Sequence, residues 1–147
     1  MKKVFFILSL VMLVLTSCDK NKSANTAVSD KDAILVQSAQ QAQNLCPMEV
    51  DYVTTLTGVN YNPDTRRFTY EYEIDESQVE MSVLSQSAEV LGQSIVASLE
   101  NNELSKLILN PLAEVNGLMY YVYKGSKSGD SFTIVVNPKD NSYEILN

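Results

Sequence analysis

The sequence predicts an α+β domain: an antiparallel sheet of four to five strands with helices on one face. Residues 68–75 alternate between apolar and polar side chains, a pattern typical of a strand with one buried and one solvated face. Residues 84–99 place an apolar side chain at every third or fourth position, which predicts a helix that covers a sheet. The elements follow the order α-β-β-α-β-β with an optional last strand, which favours an α+β fold.

The first half of the domain is predicted to be one helix followed by a hairpin. Ser29 begins a Ser-x-x-Asp pattern that can start a helix. This helix ends near Cys46, because a proline follows and disfavours helical geometry in the residue before it. Residues 48–61 have the Val, Thr and Tyr content of a strand, and the Asn-Pro-Asp cluster at 62–64 predicts a turn.

The next strand has two chemically distinct faces, and a helix is expected after it. Asp75 is predicted to cap that helix, with Gln78 three residues later. The apolar stripe of the helix is Leu84, Ala88, Leu91, Ile95 and Leu99. The strand places Phe68, Tyr70, Tyr72 and Ile74 on one face and Thr69, Glu71, Glu73 and Asp75 on the other.

The second half is predicted to return to strands. Two asparagines at 101–102 mark a break, and a short helical turn is expected to end before Pro111. Residues 118–123 form an aromatic strand that is joined by a flexible connection at 125–130 to a partner strand. Residues 143–146 provide a short edge strand.

Charge and composition exclude several classes of function. The chain holds 18 acidic and 11 basic residues. Beyond residue 18 the counts are 18 and 9, a formal charge of −9 that repels nucleic acid, so no nucleic-acid partner is expected. No histidine is present, which excludes Ser-His-Asp and Cys-His catalysis and His-ligated zinc. We expect no cofactor and no metal site.

The amino terminus has the layout of an export signal. Two lysines precede an apolar run over residues 4–15, which is shorter than the roughly 20 residues of a spanning helix. Leu15-Thr16-Ser17-Cys18 then resembles the lipobox of bacterial lipoproteins. In that family the cysteine thiol receives a diacylglyceryl group and a peptidase cleaves before it. The alternative is an ordinary secretory signal with a chance cysteine, or a buried amphipathic segment.

The lipobox resemblance implies a division of the chain into three parts. Residues 1–17 are a signal peptide, residues 18–29 are the lipidated Cys18 and a flexible tether, and residues 30–147 are a single domain. The lipid then places the domain in the cell envelope, on the inner or the outer membrane, with that membrane as its first partner.

A second resemblance concerns the domain itself. Its short motifs are similar to those of small exported bacterial proteins for which no activity is established, and the likeness covers about residues 44–137. It implies a fold and no function. The motifs are Cys46-Pro47, Asp51 with Thr54-Thr55-Leu56, Tyr70-Glu71-Tyr72, and Tyr121-x-Tyr123.

Strand carboxylates and tyrosines are the candidate site residues. Glu71, Glu73 and Asp75 line one strand face, where paired carboxylates could act as acid and base or hold calcium, although a solvated sheet face is the simpler interpretation. Alternation turns at least one of Tyr120 and Tyr121 outward, where it could bind a partner. The candidate binding surface is therefore Glu71, Glu73, Tyr120, Tyr121 and Tyr123, with no catalytic residue and no metal ligand.

Cys46 is the one thiol left once Cys18 is lipidated, so it is either buried or available for pairing with another molecule. The favoured function is a lipid-anchored, non-catalytic module that binds an envelope protein or a glycan. The alternative is an inhibitor or immunity-type protein that neutralises a toxin or hydrolase, and an enzyme that uses the strand carboxylates is the third hypothesis.

Overall fold

The computed structural model describes residues 29–147. The predicted signal peptide, the predicted lipidation at Cys18 and the predicted tether up to residue 28 lie outside the described residues. Among the helices of the described part, none combines the length and the apolar character that crossing a membrane requires.

The structure is an α+β fold in which one six-stranded sheet carries all of its helices on the same face. The Ser29 side chain caps the first helix, as expected, by accepting the Asp32 backbone N–H at 3.1 Å. The helices are α1 Asp30–Gln43, α2 Met81–Gln86, α3 Ala88–Asn101 and α4 Lys106–Glu114, with a 3-10 turn at Glu103–Ser105 before α4. The strands are β1 Met48–Glu49, β2 Thr54–Asn62, β3 Arg67–Ile74, β4 Leu118–Gly125, β5 Ser131–Asn137 and β6 Ser142–Leu146.

The prediction of four to five antiparallel strands is correct only at the level of the α+β class. The sheet has six strands in the order β1-β2-β3-β4-β5-β6, and it is mixed because β3 and β4 are parallel. Every other neighbouring pair is antiparallel. Parallel pairing follows from the connection, because the three helices between β3 and β4 carry the chain back to the starting end of the sheet.

The extra strand arises because the expected strand over residues 48–61 is interrupted. The Asp51 carboxylate accepts the backbone N–H of Val53 at 2.9 Å and of Thr54 at 2.8 Å, which turns the chain between β1 and β2. The turn predicted at 62–64 is confirmed, since the Asn62 side chain accepts the backbone N–H of Asp64 at 2.9 Å.

Two predicted helix boundaries are wrong, and the single helix predicted over residues 84–99 is divided at Ser87 into α2 and α3. Asp75 does not cap a helix: its carboxylate accepts the Ser77 N–H at 2.9 Å within a turn, and α2 begins later, at Met81. Helix α4 does not end before Pro111 but continues through it. The carbonyl left without a donor belongs to Leu107, a residue that is 64 % exposed and therefore open to solvent, while Pro111 itself is buried.

The core lies between the helices and one face of the sheet. The register of the strands aligns the side chains of this face in rows that run across the sheet. The prediction that Phe68, Tyr70, Tyr72 and Ile74 lie on this face is confirmed. Phe68 and Ile74 are fully buried, and the two tyrosines are half-buried. The first row is Tyr61, Phe68, Met119, Val136 and Tyr143; the second is Val59, Tyr70, Tyr121, Ile134 and Ile145; the third is Leu56, Tyr72, Tyr123 and Phe132.

A close backbone approach joins the end of α4 to the start of β3. A Cβ on Gly117 would lie 2.6 Å from the Arg66 carbonyl oxygen and 2.4 Å from a Leu112 methyl carbon. The Leu118 N–H donates to the same Arg66 carbonyl at 3.0 Å, so the backbone cannot withdraw without breaking a bond. Position 117 therefore requires glycine.

We expect Gly117→Ala to lower the free energy of unfolding by about 1–3 kcal/mol, because overpacking a fixed backbone contact forces a shift. Urea denaturation of the purified chain measures it. Ser98→Ala, on an exposed position of α3, is the control and should change the free energy by less than about 0.5 kcal/mol. Equal stability of Gly117→Ala and the unsubstituted chain would contradict the steric argument.

Candidate functional site

The second face of the sheet carries no helix in the part of the chain that the structure describes. Its side chains form three rows, which we call the open face. Sheet geometry, with strands about 4.8 Å apart and same-face residues about 6.8 Å apart, gives the rows an area of roughly 20 by 15 Å. The rows are Asn60, Thr69, Tyr120, Val135 and Glu144; Gly58, Glu71, Val122, Thr133 and Leu146; and Thr55, Glu73, Lys124 and Ser131.

Tyr120 occupies the middle of the first row. Val135 beside it is only 5 % exposed, although none of the described helices covers this face. The Arg67 guanidinium carbon lies 4.8 Å from the centre of the Tyr120 ring, a cation–π distance. The ring is half-buried and contacts Arg67, so binding a partner would cost it little side-chain entropy.

Carboxylates surround this apolar centre. Glu71 and Glu73 of β3 and Glu144 of β6 are exposed on the open face, and Glu73 pairs across the strands with Lys124. Within residues 29–147, no three acidic or cysteine side chains converge to hold a metal ion. The arrangement is that of a contact surface with an apolar centre and a charged border.

Asp75 does not extend the line of Glu71 and Glu73. The Asp75 carboxyl accepts hydrogen bonds from the Ser77 side chain and backbone, and these bonds hold the turn after β3. The same hydrogen bonds lower the pKa of the Asp75 carboxyl. The sequence pattern of three alternating carboxylates therefore reduces to two on the open face.

Tyr121 and Tyr123 are not on the open face with the other candidate residues. Both are 7 % exposed on the helix side, because alternation that turns Tyr120 outward turns them inward. Tyr121 stacks on Tyr70 at a centroid distance of 5.3 Å, and Tyr123 stacks on Tyr72 at 5.0 Å. Burial raises the pKa of all four hydroxyls, so these tyrosines are neutral parts of the core.

Cys46 is half-buried beside this tyrosine cluster and forms no disulfide within the described residues. Its thiol donates a hydrogen bond to the Ala42 carbonyl at 3.5 Å. Burial raises the pKa of the thiol, which disfavours the thiolate that a nucleophile needs.

Sequence reasoning missed a clasp that fixes the loop between β4 and β5. The Glu76 carboxylate accepts the backbone N–H of Lys127 at 2.6 Å and of Ser128 at 2.7 Å, and the Glu76 N–H donates to the Ser126 hydroxyl at 3.2 Å. The Gly-Ser-rich composition of residues 125–130 indicated a flexible connection. Its anchor is 50 residues earlier in the chain, which no local pattern could reveal.

Sequence reasoning also missed a cleft between α1 and β2. The cleft has a volume of about 320 Å³, and its Gln43 amide oxygen accepts the Val59 backbone N–H at 2.7 Å. The residues that line it are Val36, Ala39, Gln40, Gln43, Val59, Asn60 and Tyr61.

No family model matches this chain, and no curated protein matches it. The chain is similar in structure to a Pseudomonas aeruginosa protein described as secreted, with a TM-score of 0.54, 11 % sequence identity, and coverage of 82 % of this chain and 95 % of that chain. This likeness shows the fold. The pilotin of the Vibrio vulnificus type 2 secretion system is similar with a TM-score of 0.48 and 9 % identity, covering 80 % of this chain and 87 % of the pilotin.

The Glu76 clasp predicts an acid-sensitive contribution to stability. Hydrogen bonds from Ser128 and Lys127 lower the pKa of the Glu76 carboxyl below its ordinary value of 4.5. The contribution is therefore complete above about pH 4.5 and is lost as the pH falls through the lower, folded-state pKa. We expect Glu76→Gln to lower the melting temperature at pH 7 and to lower it less as the pH drops below about 4.5.

Thermal unfolding followed by circular dichroism between pH 7 and pH 3 measures this difference. Glu49→Gln is the matched control, since Glu49 is exposed on β1 and lies outside the clasp. If Glu76→Gln lowers the melting temperature by the same amount across the pH range, the charge of the carboxylate is not what holds the loop.

Proposed function

We propose that this protein is a lipid-anchored module of the cell envelope that binds a protein partner through its open face and carries out no catalysis. The observation that supports this proposal is the uncovered half of the sheet, with half-buried Tyr120 and Val122 at its centre and exposed glutamates around them. Soluble domains rarely leave a large apolar patch exposed, and an aromatic centre with a polar border is typical of protein contact surfaces.

The chemistry of the partner follows from charge. Residues 29–147 hold 17 acidic and 7 basic side chains, a formal charge of −10. The open face carries the carboxylates of Glu71, Glu73 and Glu144 against the cations of Arg67 and Lys124, so it is acidic by one charge. A partner with apolar residues flanked by Lys or Arg therefore complements it better than an acidic partner does. One side of a sheet offers a broad surface rather than an enclosed cavity, which suits a protein better than a glycan, because small ligands favour concave sites.

The size of the face limits the affinity. The roughly 300 Å² of the three rows is less than the about 800 Å² that each partner buries in a standard interface. The contact therefore either extends onto the border residues or is transient. Lipid anchoring suits a transient contact, because holding the domain at a membrane raises its effective concentration toward partners there.

The negative charge favours one narrower version of this function. This version is an inhibitor or immunity-type protein that neutralises a basic toxin or hydrolase. A formal charge of −10 would make its association with such a basic target faster. Survival of a deletion strain in competition with toxin-producing neighbours measures it. Unchanged survival would argue against this version and leave the general binding function.

Photo-crosslinking in living cells tests the open face. With a photoreactive amino acid at Glu71, we expect a discrete protein adduct, whereas the same amino acid at the exposed Glu103, away from the open face, should give none. Adding Tyr120→Ala should reduce the adduct at least about ten-fold, a loss typical of removing an aromatic anchor. Tyr52→Ala is the control, because the Tyr52 side chain is 87 % exposed and lies outside the open face.

Identical adducts from positions 71 and 103, or an adduct that Tyr120→Ala leaves intact, would contradict binding through this face. A diffuse adduct that glycan-degrading enzymes remove would identify a glycan partner and contradict the choice of a protein.

The anchor is tested separately by membrane fractionation. We expect the chain to fractionate with membranes and Cys18→Ala to abolish incorporation of labelled fatty acid, because the thiol is the proposed site of lipid attachment. Cys46→Ala is the matched control and should incorporate lipid normally. Lipid incorporation that survives Cys18→Ala would refute the lipobox interpretation.

A further inference from the structure

Most of the outer edge of β2 pairs with no strand among residues 29–147. Strand β1 pairs only with Leu56 and Thr55, and no described strand pairs with the outer edge from Gly58 to Asn62. The register break between Leu56 and Gly58 shifts the alternation, so that Val59 and Tyr61 turn their N–H and C=O groups toward this edge. Free edge groups of this kind are a template for another strand.

One of these groups is already engaged by a side chain. The Val59 N–H donates to the Gln43 side-chain oxygen at 2.7 Å, and this oxygen sits where an incoming strand would place a carbonyl. The Tyr61 N–H has no hydrogen-bond partner among residues 29–147. Because Gln43 has three rotatable side-chain bonds, an incoming strand could replace it without moving the backbone.

Helix α1 overhangs the same edge and forms the second wall. Val36, Gln40 and Gln43 lie at helical spacing on the side of α1 that faces β2, and with Val59 and Tyr61 they enclose the cleft of about 320 Å³. This volume falls at the lower end of the roughly 300–1,000 Å³ of ligand clefts. A strand-plus-helix groove of this type offers main-chain hydrogen bonds on one side and space for side chains on the other.

The charges around the cleft select for a basic occupant. No lining residue is charged, and carboxylates stand at both ends: Asp32 accepts the Tyr61 hydroxyl, and a Glu71 carboxylate oxygen lies 3.2 Å from the Cβ position of Gly58. Arg66 also acts on Asp32, but its guanidinium donates to the Val115 carbonyl at 2.6 Å. The formal charge of −10 on residues 29–147 adds to the same preference.

We propose that the β2 edge and the overhanging side of α1 bind an extended segment of a basic protein partner by strand addition, with alternate apolar side chains entering the cleft. The Gln43 amide occupies the Val59 donor in the unbound protein and leaves it when the segment binds. This surface adjoins the open face at Asn60 and Glu71. Tyr120→Ala tests the open face and Gln40→Trp tests the β2 edge, so either proposal can fail without the other.

The probe is a blocked seven-residue peptide of alternating lysine and valine, titrated into the purified full-length chain in detergent. We expect saturable binding and slower hydrogen exchange of the Tyr61 amide. Gln40→Trp, which fills the cleft from an exposed helix position, should weaken binding about ten-fold or more. Gln41→Trp, one residue further on and outside the cleft lining, is the matched control and should bind normally.

Two N-methylated probes test the backbone hydrogen bonds without altering the protein. An added strand turns only every second amide toward its neighbour. Methylation of either the valine amides or the lysine amides should therefore abolish binding, whereas methylation of the other set should leave it intact. A glutamate-for-lysine version of the probe should bind at least about ten-fold more weakly, because the cleft ends are acidic.

Several results would overturn the proposal. The first is an absence of saturable binding, and the second is binding that leaves hydrogen exchange of the Tyr61 amide unchanged. The third is equal affinity of the chain for the two methylated probes, and the fourth is equal affinity of the Gln40→Trp and unsubstituted chains for the peptide. Protection of Tyr61 without peptide that grows with protein concentration would identify a second copy as the occupant instead. If the Tyr61 amide is protected without peptide, and this protection disappears when residues 19–28 are replaced by glycine and serine, the occupant of the edge is the chain's own segment 19–28.

Discussion

The parallel pairing of β3 with β4 is the constraint on which the other features depend. Two parallel neighbours need a connection that returns the chain to the starting end of the sheet, and α2, α3 and α4 provide it. The connection must cross one face of the sheet, and α1 packs on that face as well, through the cap network that joins Asp32 to Tyr61. One face is consequently covered by helices, while the other carries none from residues 29–147.

This asymmetry gives the aromatic residues of one strand two different roles. Parallel register sets Tyr70 beside Tyr121 and Tyr72 beside Tyr123, so four rings stack into a block on the helix side. Tyr120 belongs to the same strand but faces the opposite way, where it packs on Val135 and lies under the Arg67 guanidinium. A single-residue shift of β4 would exchange these roles, and burial of the tyrosine block opposes such a shift.

The periphery of the fold is held by polar contacts rather than by apolar packing. The Glu76 carboxylate fixes the loop between β4 and β5 through two backbone N–H groups, and Gln43 caps a donor on the β2 edge. Such contacts are weak in free energy compared with the core, and they can exchange with an outside partner. The proposed strand addition at β2 uses this property, whereas the proposed contact at the open face depends on a preformed surface.

Much of this architecture was predictable from local patterns in the chain. Alternation at 68–74 identified the buried and exposed faces of β3, Ser29 located the start of α1, and the clusters at 62–64 and 125–130 located the turns, because each signal depends on residues close in sequence. The Leu15–Cys18 pattern that resembles a lipobox, the acidic charge and the absence of histidine are likewise properties of the chain alone.

Tertiary structure decided the features that join distant residues. Alternation required one of Tyr120 and Tyr121 to face outward, but only the helices on one side determined that it is Tyr120. The parallel β3–β4 pair, the Glu76 clasp and the cleft under α1 depend on partners 16 to 52 residues apart, for which composition and periodicity carry no signal. The sequence by itself located most of the strands and helices, although not the break between β1 and β2 or the division between α2 and α3. Packing determined which of their faces met, because burial of apolar surface is non-directional and depends on the whole assembly.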